Sequence, residues 1–331
     1  MAEYLCGYLM VISDNKNYTT LRDITEVRIT IVMDNYVDIL MTDTDIARRY
    51  RPAHKLNSER LPVAEHGFSL MVSITDNEIK ESFLFDTGLN KNSYAHNLDI
   101  LDVEMLNISS IILSHGHFDH VGGLKVIADK LNNRKINLSF HPDALLERKV
   151  LLPNKEEIIF PIIDKSLIYS DSFDITTITE PISVYNGRVL ISGEIPRITN
   201  FEKGSPMHYS KHGEEWIADP LIKDDISIIL HVAGKGLLII TGCAHSGLIN
   251  IIRYAVQLTG IRKIYAIIGG FHLSCPMFEK RISETISVLK KINPTYIIPC
   301  HCTGVTAIHA IAATFPNSFI APSVGTTFIF G

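Results

Sequence analysis

The sequence predicts an α/β layered fold, and three observations carry that prediction. Short β-branched strands are followed repeatedly by amphipathic helical stretches, the pattern of sheets flanked by helices. A composition of 46% hydrophobic and 20% charged residues suits a globular chain that buries a large core. Five strands run straight into residues able to bind ligands or metals. FLFDTG reaches Asp86, IILSHGH reaches His115, LIITGCAH reaches Cys243 and His245, KIYAIIGGFH reaches His272, and YIIPCH reaches His301. Ligands of α/β sheets bind beyond the strand ends, so five such ends point to one shared rim.

In chain order, residues 1–23 read as an N-terminal extension or edge strand and residues 24–331 as one domain. EVRITIVMDNYVDIL is a strand and a polar bend. FSLMVSITDNEIKESFLFDTG is a hairpin turning at Asp76-Asn77. SYAHNLDILDV is a short helix, SSIILSH a buried strand, HVGGLKVIADKLNN a helix and INLSFHPDAL a strand. From about residue 147 to 223 the pattern loosens, which marks an insertion or lid. Regular structure resumes with the strands DDISIILHV and LLIITGCAH and the helix SGLINIIRYAVQLTG. The strand KIYAIIGGFH, the helix MFEKRISETISVLKKI, the strand TYIIPCH and a last strand in SFIAPSVGTTFIFG complete the chain.

The formal charge of −5 argues against bulk nucleic-acid binding, so any grip on an anionic small molecule must be local. No apolar run is long enough to cross a bilayer, and the first residues lack the features of a secretory leader, so a cytoplasmic protein is expected. The five cysteines, Cys6, Cys243, Cys275, Cys300 and Cys302, are odd in number and crowd toward one end, which is not a disulfide framework. Cys243 lies two residues before His245, and Cys300 and Cys302 flank His301. Those are thiols beside metal-binding imidazoles, whereas Cys6 and Cys275 read as ordinary small buried residues.

The chemistry concentrates in LSHGHFDHVGG. Gly116 lets the backbone fold so that His115 and His117 face one point, while Asp119 and His120 can face a second. Imidazole suits zinc, iron and manganese, and carboxylate suits harder cations. A lone histidine at a loop tip is usually structural; three histidines and an aspartate spaced H-x-H-x-D-H are a metal motif. Further ligands are expected from His245 and His301, with Cys243 a further candidate.

HGHFDH after an apolar strand, together with FLFDTG and PCHCTG, resembles the metallo-β-lactamase superfamily from about Ile29 to the C-terminus. Its segments VAEHGFSLMV, SGEIPR, TGCAHSGLINII and IGGFHL resemble the branch that contains the archaeal 7,8-dihydropterin-6-methyl-4-(β-D-ribofuranosyl)aminobenzene-5′-phosphate synthase. The resemblance implies a four-layer αββα sandwich with an inserted lid and two divalent metals. It implies His115 and His117 on the first metal, Asp119, His120 and His301 on the second, and Asp86 as a support behind the ligands. The superfamily's usual Gly-His turn is absent from LISGEIPR, and TGCAH stands where a bridging aspartate is usual. His245 is therefore expected to replace the missing ligand, with Cys243 at or near the bridge.

Zinc is the first expectation for the pair, then manganese or iron, with magnesium arriving on a phosphorylated substrate. Asp119 is expected to orient the attacking water, and His272, after Gly269-Gly270, to act as a general acid or substrate contact. Arg197, Glu194 and His66 are candidate substrate contacts, and Glu65 a support beside them. The basic and aromatic residues Lys203, His208, Lys211, His212, Phe201, Tyr209 and Trp216 are candidates to line the lid. The main expectation is a hydrolase of a small phosphorylated or otherwise anionic molecule. The resemblance also implies a transferase joining a dihydropterin diphosphate to a ribofuranosyl aminobenzene phosphate with release of pyrophosphate. A non-catalytic metal-binding sensor is the third reading. Nothing in the sequence fixes the oligomeric state.

Overall fold

The computed structural model describes residues 19–52, 57–76 and 79–331. Cys6, Asn77 of the expected turn and residues 1–18 of the expected extension lie outside the described residues. The chain forms two compact units, each assembled from discontinuous segments. The first comprises residues 25–179, 205–220 and 322–331; the second comprises the described residues up to Ile24, with 180–204 and 221–321.

In the first unit an eight-stranded sheet runs in the order Phe173–Thr177, Ile136–Phe140, Ile108–Ile112, Ile79–Phe85, Ser69–Asp76, Glu26–Met33, Thr327–Phe330, Ala47–Arg48. The first four of these are parallel and the rest antiparallel. The hairpin Ser69–Asp76 and Ile79–Phe85 forms as its alternation predicts, with Ser73 and Ser82 sharing a cross-strand hydrogen bond of 2.7 Å. Helices Lys91–Ile100 and Leu124–Lys130 bury Tyr94, Leu98, Leu124 and Ile127 in one cluster with Leu84, Ile111, Leu138 and Phe140 of the sheet. Asn90 caps the first helix by accepting from the Asn92 N–H at 2.8 Å.

The second unit holds a seven-stranded sheet. Its main path is Ile182–Val184, Val189–Ile191, Ser227–Val232, Gly236–Thr241, Ile264–Gly270, Tyr296–Cys300, and Asp23–Ile24 pairs in parallel with Ser227–Val232. The last three strands of the path are parallel, as expected for strands separated by helices. Helix Leu248–Thr259 places Leu248, Ile251, Ile252 and Ala255 on one face, the i, i+3, i+4, i+7 pattern, against Leu237, Ile239, Ile264 and Ile267.

The segment 147–223 serves both units. Strands Arg148–Leu151, Glu157–Ile159, His208–His212 and Glu215–Ala218 form a small separate sheet in the first unit. Phe173–Thr177 extends the large sheet of that unit, and Ile182–Val184 and Val189–Ile191 begin the sheet of the other. The β-branched run DITTIT joins the edge of the large sheet, and GRVLIS pairs on both sides within the other.

Glu202 is a buried carboxylate at the N-terminus of helix Leu248–Thr259. It accepts from the Ile249 and Asn250 N–H groups, both at 2.9 Å, and from the Thr199 hydroxyl at 3.2 Å. These donors are ones the helix cannot satisfy itself. Burial pushes the carboxyl above its ordinary value, against the pull of the two backbone donors. Glu202→Ala is expected to lower unfolding stability by roughly 1–2 kcal/mol, read from urea unfolding. A raised folded-state value means the folded chain holds the proton more tightly than the unfolded one. Stability from this group is therefore present at low pH and lost as pH climbs through the raised value, and Glu202→Gln should flatten that loss.

Candidate metal centre

The chemistry of the first unit gathers where its parallel strands end. Strand Ile79–Phe85 delivers Asp86, and strand Ile108–Ile112 delivers the loop from Ser114 to His120. Asp86 adopts a left-handed backbone conformation, φ 62°, which turns its fully buried carboxylate under that loop. Oδ1 accepts from the Ser114 N–H at 2.7 Å, and Oδ2 accepts from the Ser114 hydroxyl at 2.7 Å and from His120 Nδ1 at 2.7 Å.

These bonds set the tautomers. An ionised carboxylate only accepts, so the proton of His120 lies on Nδ1 and Nε2 carries the lone pair. The Ser114 hydroxyl spends its proton on Asp86, so its oxygen accepts from His115 Nδ1 at 2.8 Å. His115 is thereby also protonated on Nδ1, with Nε2 as its donor atom. The His115 ring lies 4.5 Å from that of His117 and 4.2 Å from that of His120, centroid to centroid. Asp119 Oδ2 lies 3.8 Å from His120 Nε2. The loop can close this tightly because Gly116 lacks a side chain: a Cβ there would sit 2.0 Å from the Ala144 carbonyl oxygen.

His66 approaches the same group, with Nε2 3.6 Å from Asp119 Oδ2. Two anchors just before it hold the segment that carries it. Asn97 binds Val63 through both its N–H and C=O. Glu65 accepts from the Leu89 N–H at 2.9 Å, the Asn90 N–H at 3.0 Å and the Ser93 hydroxyl. Glu65 is thus a clamp on the loop before helix Lys91–Ile100. From the small sheet, His208 stacks on His117 at 5.6 Å, and Phe160 meets His117 edge-on at 5.1 Å. Tyr209 and Trp216 flank Lys149, whose ammonium pairs with Glu157 at 2.7 Å, and Lys211 pairs with Glu147 at 3.5 Å. Phe201 instead packs against the core of the second unit.

In the second unit the three parallel strands end side by side. Gly236–Thr241 leads to Cys243 and His245, Ile264–Gly270 to His272, and Tyr296–Cys300 to His301 and Cys302. The donor atoms of Cys243, His245 and His272 lie within 4.8 Å of one another, and so do those of Cys243, His301 and Cys302. Ala244, His272 and His301 all have left-handed backbones, φ 58°, 45° and 47°, a conformation that costs energy outside glycine and gathers at functional sites. The Gly269-Gly270 pair admits protein backbone rather than a ligand. A Cβ on Gly269 would sit 2.0 Å from the Thr241 carbonyl oxygen, and one on Gly270 2.5 Å from that of Gly242.

Asp225 does here what Asp86 does in the first unit. Its fully buried Oδ2 accepts from the Ser246 N–H at 2.9 Å and from the Ser246 hydroxyl, gripping the loop that carries Cys243 and His245. Burial pushes its carboxyl above the ordinary value, opposed by the Ser246 bonds. The sequence reading passed over Asp225, although an Asp-Asp pair entering the apolar strand ISIILHV was a usable signal. Phe160 carried no such signal, whereas Cys302 did, as a thiol flanking His301. Cys275, expected to be buried, is exposed; it sits in a left-handed turn before Pro276, φ 71°, outside the core.

Arg197 donates to the Ile195 and Leu221 carbonyls and so ties its loop to Leu221. Glu194 lies 3.5 Å from Lys223. These residues line a surface cavity of about 270 Å³ with Pro196.

The donors in each unit fit a borderline divalent cation. They are imidazoles, a carboxylate and thiols, with the tautomers of His115 and His120 set by hydrogen bonds and buried carboxylates behind the loops. A family model described as the metallo-β-lactamase superfamily matches residues 67–174. Over 272 residues the chain is 32% identical to the 7,8-dihydropterin-6-methyl-4-(β-D-ribofuranosyl)-aminobenzene-5′-phosphate synthase of Methanocaldococcus jannaschii, covering 77% of this chain and 87% of the relative. The chain belongs to the metallo-β-lactamase superfamily. An uncharacterized protein of the same archaeon is 32% identical over 266 residues, 79% of this chain and 92% of that protein. The crystal structure of a metal-dependent hydrolase of the β-lactamase superfamily superposes with a TM-score of 0.69 at 20% identity, over 91% of this chain and 98% of that one. The chain therefore has the fold that its sequence predicted.

Asp86→Asn should break the relay, because an amide nitrogen cannot accept from both Ser114 and His120. Metal affinity, measured by competition with a chromophoric chelator, is expected to fall roughly 10–100-fold while the far-ultraviolet dichroism stays unchanged.

Proposed function

We propose that the protein is a binuclear metal-dependent enzyme that hydrolyses a small phosphorylated or otherwise anionic substrate. The observation that carries this reading is the Asp86 relay. One buried carboxylate aligns Ser114, His115 and His120, an arrangement that presents imidazole lone pairs and has little purpose in a merely structural loop.

In this reading His115, His117 and His245 would hold one cation and Asp119, His120 and His301 the other, with Cys243 at or near the bridging position. The order of these residues along the chain, in a member of this superfamily, supports the grouping. Zinc suits the donors first, then manganese or iron. Bound divalent cations would supply Lewis acidity and an acidified water at neutral pH. Asp119 orients that water and accepts its hydrogen bond. His66, mostly exposed and 3.6 Å from Asp119, is placed to steer the anionic group. Glu194 and Arg197 are proposed substrate contacts, and magnesium would arrive with a phosphorylated substrate.

A second reading is favoured by a specific observation, the 32% identity that spans 87% of the archaeal synthase. In that reading the same residues serve a transferase joining a dihydropterin diphosphate to a ribofuranosyl aminobenzene phosphate with release of pyrophosphate.

Metal analysis of the purified chain should find about two ions per chain, and His117→Ala should lower that number; an unchanged count would contradict the assignment. Turnover of simple phosphate esters with added zinc or manganese supports hydrolysis. Pyrophosphate released only when both pterin and riboside substrates are present supports transfer, and loss of ester turnover by the metal-loaded protein would overturn hydrolysis.

A further inference from the structure

We propose that His272 is a metal ligand, forming with Cys243 and His245 a mixed thiolate–imidazole triad, in place of the proton-transfer role its sequence position first implied. The inference rests on the reading that the protein holds a metal centre.

Three independent features place the ring there. Cys243 and His272 follow adjacent parallel strands in register, Thr241 opposite Gly269. Both therefore leave the sheet at the same edge. The donor atoms of Cys243, His245 and His272 fall within 4.8 Å of one another. Nitrogen and sulfur donors that share one zinc-like cation sit ~3–4 Å apart, and small side-chain rotations close the difference. The His272 and His245 rings are 4.1 Å apart and tilted by 52°.

The backbone fixes His272 before any ligand arrives. The Phe271 N–H donates to the Thr303 hydroxyl at 3.0 Å, and the Gly270 N–H donates to the Gly242 carbonyl at 2.9 Å. His272 has a left-handed backbone, φ 45°, and its ring stands beside that of His245. Buried Phe278 meets the ring edge-on at 4.4 Å. A ring fixed in advance suits ligation, which gains from a preformed donor geometry.

The test loads the full chain with cobalt(II) in place of its own metal. Each coordinated imidazole then contributes one strongly shifted exchangeable N–H proton resonance, and the Cys243 thiolate gives a near-ultraviolet charge-transfer band. His272→Ala is expected to remove one shifted resonance, keep the charge-transfer band and weaken cobalt binding at least roughly ten-fold. The same number of shifted resonances with unchanged affinity would overturn the proposal. Should the variant fail to fold, the unmodified chain loaded with spin-active cadmium and labelled in its histidine nitrogens decides the matter. A scalar coupling between cadmium and a His272 ring nitrogen supports the inference, and its absence while His245 shows one overturns it. Absence of cobalt or cadmium binding altogether would instead remove the metal reading on which the inference stands.

Discussion

The first unit's chemistry depends on one buried carboxylate. Asp86 has no exposure to water, and a charge in that position survives only when fully hydrogen-bonded. Ser114 supplies a backbone and a hydroxyl donor, and His120 supplies a ring donor. Each bond that stabilises Asp86 also fixes part of the histidine loop. The need to compensate one charge thus orders three side chains at once, and two of them are imidazoles whose outward nitrogen becomes the lone-pair nitrogen.

The second unit meets a similar need with different residues. Asp225 holds Ser246 through backbone and hydroxyl, and Glu202 holds the start of the helix that follows. Between them the loop carrying Cys243 and His245 is fastened at its far end. Parallel pairing does the rest: three neighbouring strands of one polarity put their C-terminal ends on one edge, and each end carries donors. Left-handed residues at three of these exits show where favourable backbone geometry has been given up to aim side chains.

Much of this was legible in the linear chain. H-x-H-x-D-H fits metal binding because its spacing is local: Gly116, two residues and a helical turn decide which way the rings face. The strand ends were legible because apolar runs of five to eight residues stop abruptly at polar ones. Asp86 was readable as a support from its place after FLF. Partners separated by long stretches of chain were not. The stacking of His208 on His117 joins residues far apart in sequence, and no local pattern records it. The segment 147–223 read as one insertion, yet its strands distribute among three sheets, because sheet edges recruit β-branched runs irrespective of their place in the chain.

The sequence by itself determined the fold class, the family and the chemical types of the donors, since periodicity, composition and short motifs act over a few residues. Tertiary structure alone decided which donors share a neighbourhood. His272 illustrates the division. Its strand-end position suits either proton transfer or ligation, and the proposal of ligation draws on the register beside Cys243 and the nearby ring of His245. The physical reason is that coordination and hydrogen bonding act over a few ångströms in space, and such distances between remote residues are set by packing rather than by spacing along the chain.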